Sequence, residues 1–313
     1  RGFIHQSTNL EALDLKLSVN KCYAYIGFDC TAPSLHVGSL IQIMILRWFQ
    51  KSGHVPIVLM GGGTTKIGDP SGKDNARPIL STDEIEKNKT NIKKIFSNFL
   101  SFNGSNKAIM IDNSEWLDDI NYITFLREFG SSFSINKMLT LESLKSRLDR
   151  EQNLSFLEFN YPIFQAYDFL KLNDKFGCIM QFGGSDQWGN IVNGIELIRR
   201  KKNEQVFGLT SPLLTTHSGS KMGKSEKGAV WLDKNYFSDY DFWQFWRNTE
   251  DQDVVKFLKL FTELNINEIE KYNKILGSSI NDVKIILANE VTKICRGEES
   301  AKISAKTAKD IFE

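Results

Sequence analysis

Apolar runs of strand length alternate with amphipathic stretches of helical length over roughly the first two thirds of the chain. This strand–helix–strand order occurs twice, at residues 23–28, 40–50 and 55–60 and again at residues 178–182, 186–200 and 209–214. Repeated alternation of this kind is typical of a parallel sheet covered by helices on both faces. The pattern therefore predicts an α/β fold built on a parallel sheet.

Two further stretches are helical and show no strand pattern. Residues 114–150 form an insertion rich in apolar side chains, which either cover the core or form a subunit contact. From residue 240 onward apolar residues such as Val254 and Phe257 recur at helical spacing. The aromatic cluster at residues 242–246 is expected in the core. The chain is therefore expected to close with a small all-α domain.

The composition is that of a globular protein. Of the 313 residues, 41% are hydrophobic and 25% are charged. The 39 Lys and Arg residues against 38 Asp and Glu residues give a net charge of +1, so a nucleic-acid partner needs a local basic face. The four cysteines lack the spacing of zinc ligands and are expected to be reduced.

No targeting or membrane segment is evident. The longest apolar runs are too short to span a bilayer, and the first ten residues lack the apolar core of a signal peptide. We therefore expect a cytoplasmic protein with no membrane association. The chain begins at Arg1 rather than at Met, which leaves open that a leading segment was removed.

Directly after the first predicted strand, a loop that carries His36 and Gly38 leads into a helix. A helix start offers free backbone N–H groups and the positive end of a dipole, both of which suit a nucleotide phosphate. A plain turn with a helix cap has the same local sequence. The loop is therefore a candidate phosphate site that needs support from elsewhere in the chain.

A second glycine-rich stretch, at residues 61–73, does not match either common nucleotide-binding motif. Three residues separate Gly68 from Gly72 where a P-loop has four, and Asp74 follows Lys73 where a P-loop has Ser or Thr. The GxGxxG pattern of dinucleotide-binding proteins also fails there. Both motifs are excluded at this stretch.

Two other polar segments are candidates for chemistry. Residues 218–225 present Lys221 and Lys224 on a loop, where point charges stabilise a polyphosphate during displacement. Residues 181–190 follow a late strand, and ligands of open α/β sheets bind beyond the carboxyl ends of strands. Taken alone, the first segment is also typical of a surface turn and the second of a helix cap.

Together these segments resemble the bacterial type of tyrosyl-tRNA synthetase, in class I of the aminoacyl-tRNA synthetases. Residues 36–39 (HVGS) are similar to the HIGH motif, and residues 221–225 (KMGKS) are similar to the KMSKS motif. The surrounding segments GFDCTAPSLHVG, GDPSGK and GGSDQWGN resemble the tyrosyl type. The resemblance implies a Rossmann-like catalytic domain over residues 1–238, with a helical insertion at about 114–155, and an all-α domain over residues 239–313.

Three departures from the family accompany this resemblance. Ser39 replaces the last His of HIGH with a shorter side chain that is expected to bind ATP less well. Gly223 replaces the Ser of KMSKS and is expected to loosen the loop. The family usually continues into a small RNA-binding domain, and the resemblance to the family ends before that domain.

The resemblance implies a two-step reaction. The carboxylate of tyrosine attacks the α-phosphate of ATP to give tyrosyl-adenylate and pyrophosphate, and the 3'-terminal ribose of tRNA(Tyr) then takes the tyrosyl group. Because the carboxylate is already a nucleophile, the protein has to position two anions and stabilise charge at phosphorus. The catalytic residues implied by motif position are Thr31, His36, Lys73, Arg77, Lys221 and Lys224.

The resemblance also implies the binding residues. The ATP site would comprise Gly27, Asp29, His36, Gly38, Ser39, Gly184, Asp186, Met222, Lys224 and Ser225. Mg²⁺ is expected on the phosphates of ATP, with no metal ligands from the protein and no tightly bound cofactor.

A tyrosine site must distinguish a phenol from a phenyl ring, and only hydrogen bonds do so well. The resemblance places Tyr25 and Asp168 at the phenolic hydroxyl, and it places Asp69, Tyr161, Gln165 and Gln187 elsewhere around the amino acid. The helical offsets from 161 to 165 and 168 independently put three of these on one face.

The implied partners are L-tyrosine, ATP, tRNA(Tyr) and a second copy of the chain, which would contact the first through the 114–155 insertion. The helical domain would contact the anticodon region. A tryptophanyl-type synthetase shares the sheet and both ATP motifs, and a catalytically idle RNA-binding relative would keep the fold. Tyr25 and Asp168 favour tyrosine, and the retained His36, Lys221 and Lys224 favour catalysis.

Overall fold

A computed structural model describes residues 1–71, 79–219, 222–225, 228–275 and 279–312 of the protein. The strands in this part of the chain are β1 (Gln6–Ser7), β2 (Tyr23–Asp29), β3 (Val55–Gly61), β4 (Ile109–Asp112), β5 (Met180–Gly184), β6 (Phe207–Ser211), β7 (Lys224–Ser225) and β8 (Gly228–Ala229). The first six form one sheet in the order β1-β6-β5-β2-β3-β4, and β7 pairs with β8 in a separate antiparallel hairpin. Within the sheet only β1 runs antiparallel to its neighbour.

Helices account for most of the remaining described residues. They are α1 (Leu10–Val19), α2 (Leu40–Lys51), α3 (Thr82–Phe96), α4 (Ser114–Leu117), α5 (Tyr122–Phe129), α6 (Ile135–Met138), α7 (Glu142–Asp149), α8 (Phe156–Phe176), α9 (Trp188–Lys202), α10 (Asp239–Arg247), α11 (Val254–Phe261), α12 (Ile266–Lys271), α13 (Ile280–Arg296) and α14 (Glu298–Phe312). Short 3-10 turns join several of them, including Val37–Ser39 directly before α2.

The order of the parallel strands reverses between β2 and β5. The chain proceeds outward from β2 through β3 to β4 on one side, and then from β5 to β6 on the other. Every residue of β3 is buried, as expected for a central strand with helices on both faces. A reversal of this kind opens a crevice beyond the carboxyl ends of the two strands, which is the usual ligand position in open α/β sheets.

The long helix α8 is defined by its ends. The Ser155 hydroxyl accepts a hydrogen bond from the Glu158 backbone N–H, and the Glu158 carboxylate accepts one from the Ser155 backbone N–H. Gly177 ends the helix with a φ of +66°, a conformation that favours glycine. A buried ion pair between Arg147 and Glu158 holds α7 against the start of α8.

The α/β architecture predicted from the sequence is confirmed. The predicted strands and helix of the first unit coincide with β2, α2 and β3 to within one residue at each end. The elements that were not predicted include α1, α3 and the short strands β1, β4, β7 and β8, and β4 lies at the edge of the sheet.

The insertion consists of four short helices, α4 to α7, rather than one long helical stretch. Its apolar residues divide between two environments. Phe125, Met138 and Leu144 are buried in a cluster beside the sheet, whereas Ile123 and Ile135 are 70% and 64% exposed. Both roles left open by the sequence, core cover and subunit contact, therefore remain compatible with this segment.

The helices from α10 onward pack on the sheet region. The aromatic residues Phe242, Trp243 and Trp246 are buried, as the sequence predicts. One apolar cluster contains side chains of α2 together with side chains of α10, α11 and α13. Within the described ranges, no helix combines the length and the apolarity needed to cross a membrane.

Candidate active site

A cavity of about 580 Å³ opens where β2 and β5 diverge. Its walls come from the carboxyl ends of β2, β3 and β5, from the turn before α2 and from one face of α8. This is the switch point of the strand order, so the position of the cavity follows from the topology of the sheet.

The cavity brings together residues that are far apart in the sequence. The predicted site residues that line it are Tyr25, Gly27, Asp29, Thr31, His36, Gly38, Ser39, Asp69, Tyr161, Gln165, Asp168, Gly184, Asp186 and Gln187. Lys73, Arg77 and Lys221 lie outside the described residues. Lys224 and Ser225 are described through their backbone in β7, and Met222 lines a second, smaller cavity.

The buried end of the cavity combines a phenol with a carboxylate. Tyr25 and Asp168 are 1% and 3% exposed. Asp168 accepts hydrogen bonds from Trp116 Nε1 at 2.8 Å and from Asn113 Nδ2 at 2.9 Å, one on each carboxylate oxygen. Among the described residues, the Tyr25 hydroxyl has no hydrogen-bond partner. A buried polar group without a partner is costly, so this hydroxyl is suited to a polar ligand atom.

Burial changes the acidity of both groups. Loss of solvation raises the pKa of Asp168 from 3.8 to about 7, against the hydrogen bonds from Asn113 and Trp116, which lower it. Burial also raises the pKa of Tyr25 well above its ordinary value, and the nearby Asp168 adds to this shift. The Tyr25 phenol is therefore neutral at physiological pH and remains a hydrogen-bond donor.

A second group of polar side chains lies nearer the start of α8. The Tyr161 hydroxyl donates to one oxygen of Asp29 at 3.0 Å, and the Thr64 hydroxyl donates to the other at 2.8 Å. Asp69 accepts from the Ser71 backbone N–H at 2.9 Å and from Gln187 Nε2 at 3.0 Å. The carboxylates of Asp29 and Asp69 thus both line the cavity and both lie near Tyr161, which favours a cationic group such as an ammonium.

The turn before α2 fixes the His36 ring. His36 Nδ1 accepts a hydrogen bond from the Gly38 backbone N–H at 2.9 Å. In the neutral ring the proton is therefore on Nε2, which makes that nitrogen a donor. A Cβ atom at Gly38 would lie 2.6 Å from His36 Cε1, so a larger residue at this position would force the His36 ring to move.

Gly223, in the segment similar to KMSKS, lies against the turn at His36 and Gly38, in the segment similar to HIGH. A Cβ atom on this residue would lie 2.9 Å from Gly38 N and 3.2 Å from His36 Nδ1. Its φ is +106°, a conformation that L side chains rarely adopt. The Gly223 carbonyl accepts from the Val230 backbone N–H at 3.0 Å, and the neighbouring Met222 is buried. Gly223 therefore permits a close approach of the segments, whereas the sequence suggested only a looser loop.

Several contributors to the site were not predicted. Asn113 and Trp116 follow the unpredicted strand β4 and hold Asp168. Asn113 also accepts from the Gly63 backbone N–H and donates to the Thr64 hydroxyl, which links the acid to the neighbouring glycine-rich turn. The sequence offered one indication of their role, which is that they directly follow an apolar run, where the carboxyl end of a parallel strand places ligand-binding residues.

In the part of the chain that the structure describes, no three His, Cys, Asp or Glu side chains are arranged to hold a metal ion.

A family model for tRNA synthetases of class I, of the tryptophanyl and tyrosyl (W and Y) group, matches residues 18–313. The chain belongs to this family. A tyrosine–tRNA ligase of Zymomonas mobilis is 60% identical over 314 residues, covering 100% of this chain and 77% of that protein. A tyrosine–tRNA ligase of Pelagibacter ubique is 59% identical over 313 residues, covering 100% of this chain and 76% of that protein.

The solved structures agree with the family. A C-terminally truncated mitochondrial tyrosyl-tRNA synthetase of Aspergillus nidulans superposes with a TM-score of 0.86 at 28% identity, covering 99% of this chain and 92% of that chain. The family model spans tryptophanyl and tyrosyl enzymes, whereas these three proteins are all named for tyrosine. In this class I synthetase, the turn at His36 and Gly38 lines the cavity, Gly223 lies against that turn, and the Tyr25–Asp168 pair lies in the buried end of the cavity.

Proposed function

We propose that this class I synthetase is a tyrosine–tRNA ligase, which activates L-tyrosine with ATP and transfers the tyrosyl group to tRNA(Tyr). The observation that carries this function is the Tyr25 hydroxyl, which has no hydrogen-bond partner among the described residues, beside the Asp168 carboxylate. Phenylalanine would leave both groups without a new partner, whereas the phenolic hydroxyl of tyrosine pairs with both. The relatives named tyrosine–tRNA ligase, which cover the whole chain, agree with this choice of amino acid.

In the proposed tyrosine site, the phenolic hydroxyl donates to Asp168 and accepts from Tyr25. The ammonium group then lies near Asp69, Tyr161, Gln165 and Gln187, where the carboxylate of Asp69 balances its charge. Tyr161 donates its own proton to Asp29, so its oxygen lone pairs are available to the ammonium. The tyrosine carboxylate is thereby directed toward the ATP side of the cavity.

The proposed ATP site occupies the side of the cavity nearer α2. The residues assigned to it are Gly27, Asp29, His36, Gly38, Ser39, Gly184, Asp186, Met222, Lys224 and Ser225. The His36 Nε2 donor, fixed by Gly38, supports a role at the phosphates. Mg²⁺ would enter on those phosphates.

The first reaction step needs no protein base. A tyrosine carboxylate oxygen forms a bond to the α-phosphorus, the bond from that phosphorus to the bridging oxygen breaks, and pyrophosphate leaves with the electron pair. Negative charge grows on the leaving pyrophosphate, which donors and cations stabilise. The residues proposed for this role are Thr31, His36, Lys73, Arg77, Lys221 and Lys224.

Larger-scale assignments complete the proposal. Residues 1–238 form the catalytic domain, residues 239–313 contact the anticodon region of the tRNA, and two copies associate through the 114–155 insertion. The exposed side chains of Ile123 and Ile135 support that dimer, because apolar groups of this size on one segment favour a subunit contact. The cytoplasmic location stays a prediction from the sequence.

Exchange of labelled pyrophosphate into ATP tests the function directly. With tyrosine, phenylalanine and tryptophan supplied in turn, we expect exchange that depends on tyrosine and exceeds that with phenylalanine by roughly a hundredfold or more. Exchange with tryptophan alone would support the tryptophanyl alternative. A protein that binds ATP but exchanges with none of the three would be an idle relative.

A further inference from the structure

A buried asparagine connects the amide groups on two sides of the tyrosine site. We propose that Asn190, at the start of α9, is a positioning residue that fixes which end of the Gln165 and Gln187 amides faces the amino acid. This inference rests on the proposed function, because it assigns a role to Asn190 in binding the ammonium group of tyrosine.

The geometry centres on one nitrogen atom. Asn190 Nδ2 donates to Gln165 Oε1 at 2.9 Å and to Gln187 Oε1 at 3.3 Å, and Ser71 Oγ lies 3.5 Å away. A side-chain amide has two N–H groups, which matches the two glutamine oxygens. Asn190 is 2% exposed and does not line the cavity, so it acts on a ligand only through these neighbours.

The hydrogen bonds continue from Gln187 to the carboxylate of Asp69. With its oxygen held by Asn190, Gln187 directs Nε2 to Asp69 at 3.0 Å and to Asp186 at 3.2 Å. The other oxygen of Asp69 accepts from the Ser71 backbone N–H. Asn190 therefore orients Asp69 indirectly, by setting the rotation of the amide that contacts it.

Rotation of a glutamine amide by 180° exchanges a hydrogen-bond acceptor for a donor at nearly constant shape. An ammonium group is attracted to the oxygen and repelled by the NH₂ group. Without Asn190, the Gln165 amide loses the donor that fixes its oxygen. Gln187 keeps its Nε2 contacts with Asp69 and Asp186, which are then left to hold its amide without the donor at its oxygen. Loss of Asn190 should therefore weaken the binding of ligands that carry the ammonium group.

A second buried asparagine on α9 provides a control for Asn190. Asn193 lies one turn further along the same helix and is 5% exposed. Within the described residues its side-chain nitrogen has no hydrogen-bond partner. Asn193 is thus a matched control, equally buried on the same helix but without contacts to the site.

The test compares tyrosine with 3-(4-hydroxyphenyl)propanoate, which has the phenol and the carboxylate but no ammonium. In pyrophosphate exchange we expect Asn190→Ala to raise the KM for tyrosine roughly tenfold to a hundredfold, with a smaller change in kcat. The inhibition constant of the propanoate should stay unchanged. Asn190→Asp, which cannot donate, should raise the KM further, and Asn193→Ala should leave both ligands unaffected.

Equal weakening of both ligands by Asn190→Ala would show a merely structural role and overturn the inference, as would an unchanged KM for tyrosine. Thermal unfolding of each variant identifies a loss of fold. If the alanine variant does not fold, Asn190→Ser, which keeps one donor, decides by the same comparison of ligands. Absence of tyrosine-dependent exchange in the unaltered protein would instead contradict the proposed function.

Discussion

In the proposed tyrosine site, buried polar groups with spare hydrogen-bonding capacity select the amino acid. The carboxylate of Asp168 accepts two hydrogen bonds from the protein, and an ionised carboxylate has room for about four. Tyr25 adds a donor without a described partner. At this scale, specificity arises from groups that the protein holds in place but does not fully satisfy.

Replacing Asp168 by Ala should remove the discrimination against phenylalanine. In the unaltered protein, bound phenylalanine leaves the Asp168 carboxylate without its new partner, and the variant no longer carries that cost. We expect the ratio of kcat/KM for tyrosine over phenylalanine to fall by about two orders of magnitude in pyrophosphate exchange. Asp174→Ala, at an exposed position of α8, is the control. Retained discrimination in Asp168→Ala would remove Asp168 from the phenol site.

The raised pKa of Asp168 predicts a pH-dependent cost to stability. Between about pH 4 and pH 7 the folded protein keeps a proton on Asp168 that the unfolded chain has released, so the free energy of unfolding falls as pH rises through this window. Above pH 7 the cost is fully present. Asp168→Asn should therefore stabilise the ligand-free protein more at pH 8 than at pH 5, by on the order of 2 kcal/mol.

Urea unfolding of both proteins at the two pH values measures this difference. Effects of all other titrating groups cancel in the comparison, provided that they are independent of residue 168. The same stabilisation at pH 5 and pH 8 would show that the acidity of Asp168 is not raised in the folded protein.

The sequence predicted most cavity-lining polar residues because they occur in recognisable segments. His36, Asp69 and Asp186 could be assigned in this way. It did not predict Asn113 or Trp116, because their role depends on a contact with a helix more than 50 residues later in the chain. Nor could spacing reveal that Tyr161 and Thr64 share one acid.

At the scale of the elements, the contact of Gly223 with the turn at His36 and Gly38 can be tested by substitution. Gly223→Ala would combine a φ of +106° with a Cβ atom 2.9 Å from Gly38 N. Gly219→Ala is the matched control, because Gly219 has a φ of +83° but nothing within 4 Å of its Cβ position. We expect Gly223→Ala to slow adenylate formation in a single turnover by roughly tenfold or more, while tyrosine binding stays unchanged.

If Gly223→Ala and Gly219→Ala slow adenylate formation equally, backbone strain alone explains the effect. Slowing confined to Gly223→Ala would locate it in the contact with the turn at His36 and Gly38. An unaltered rate in both variants would mean that the approach of these segments is not needed for the first reaction step.

Element boundaries were predictable where strands are buried on both faces. The run that became β3 is apolar throughout, so its ends are evident in the sequence. The edge strand β4 has two half-buried residues among its four, which weakens the pattern. The insertion was predicted as helical but not as four pieces, because helices of four to eight residues carry too few turns to show a period.

At the scale of the whole molecule, the proposed dimer predicts that acidic residues on the insertion will separate the subunits. Ile123→Glu together with Ile135→Glu would place two charges in an apolar contact. We expect sedimentation velocity to show the mass of one chain for this double variant and of two chains for the unaltered protein. Ile303→Glu, on the equally exposed surface of α14, should leave the mass unchanged. A monomeric unaltered protein would contradict the proposal.

The packing of α11 on α2 indicates whether residues 1–238 can fold without the helices that follow them. Phe49 of α2 and Phe257 of α11 belong to one apolar cluster, and an ion pair of 2.6 Å joins Arg47 to Glu263 beside it. A fragment ending at residue 238 would expose this half of the cluster to water. Calorimetry should therefore show one cooperative transition for the chain and none for the fragment. An evolutionary change of a side chain on one side of this shared cluster would require a compensating change on the other, so the sheet region and the C-terminal helices should evolve together.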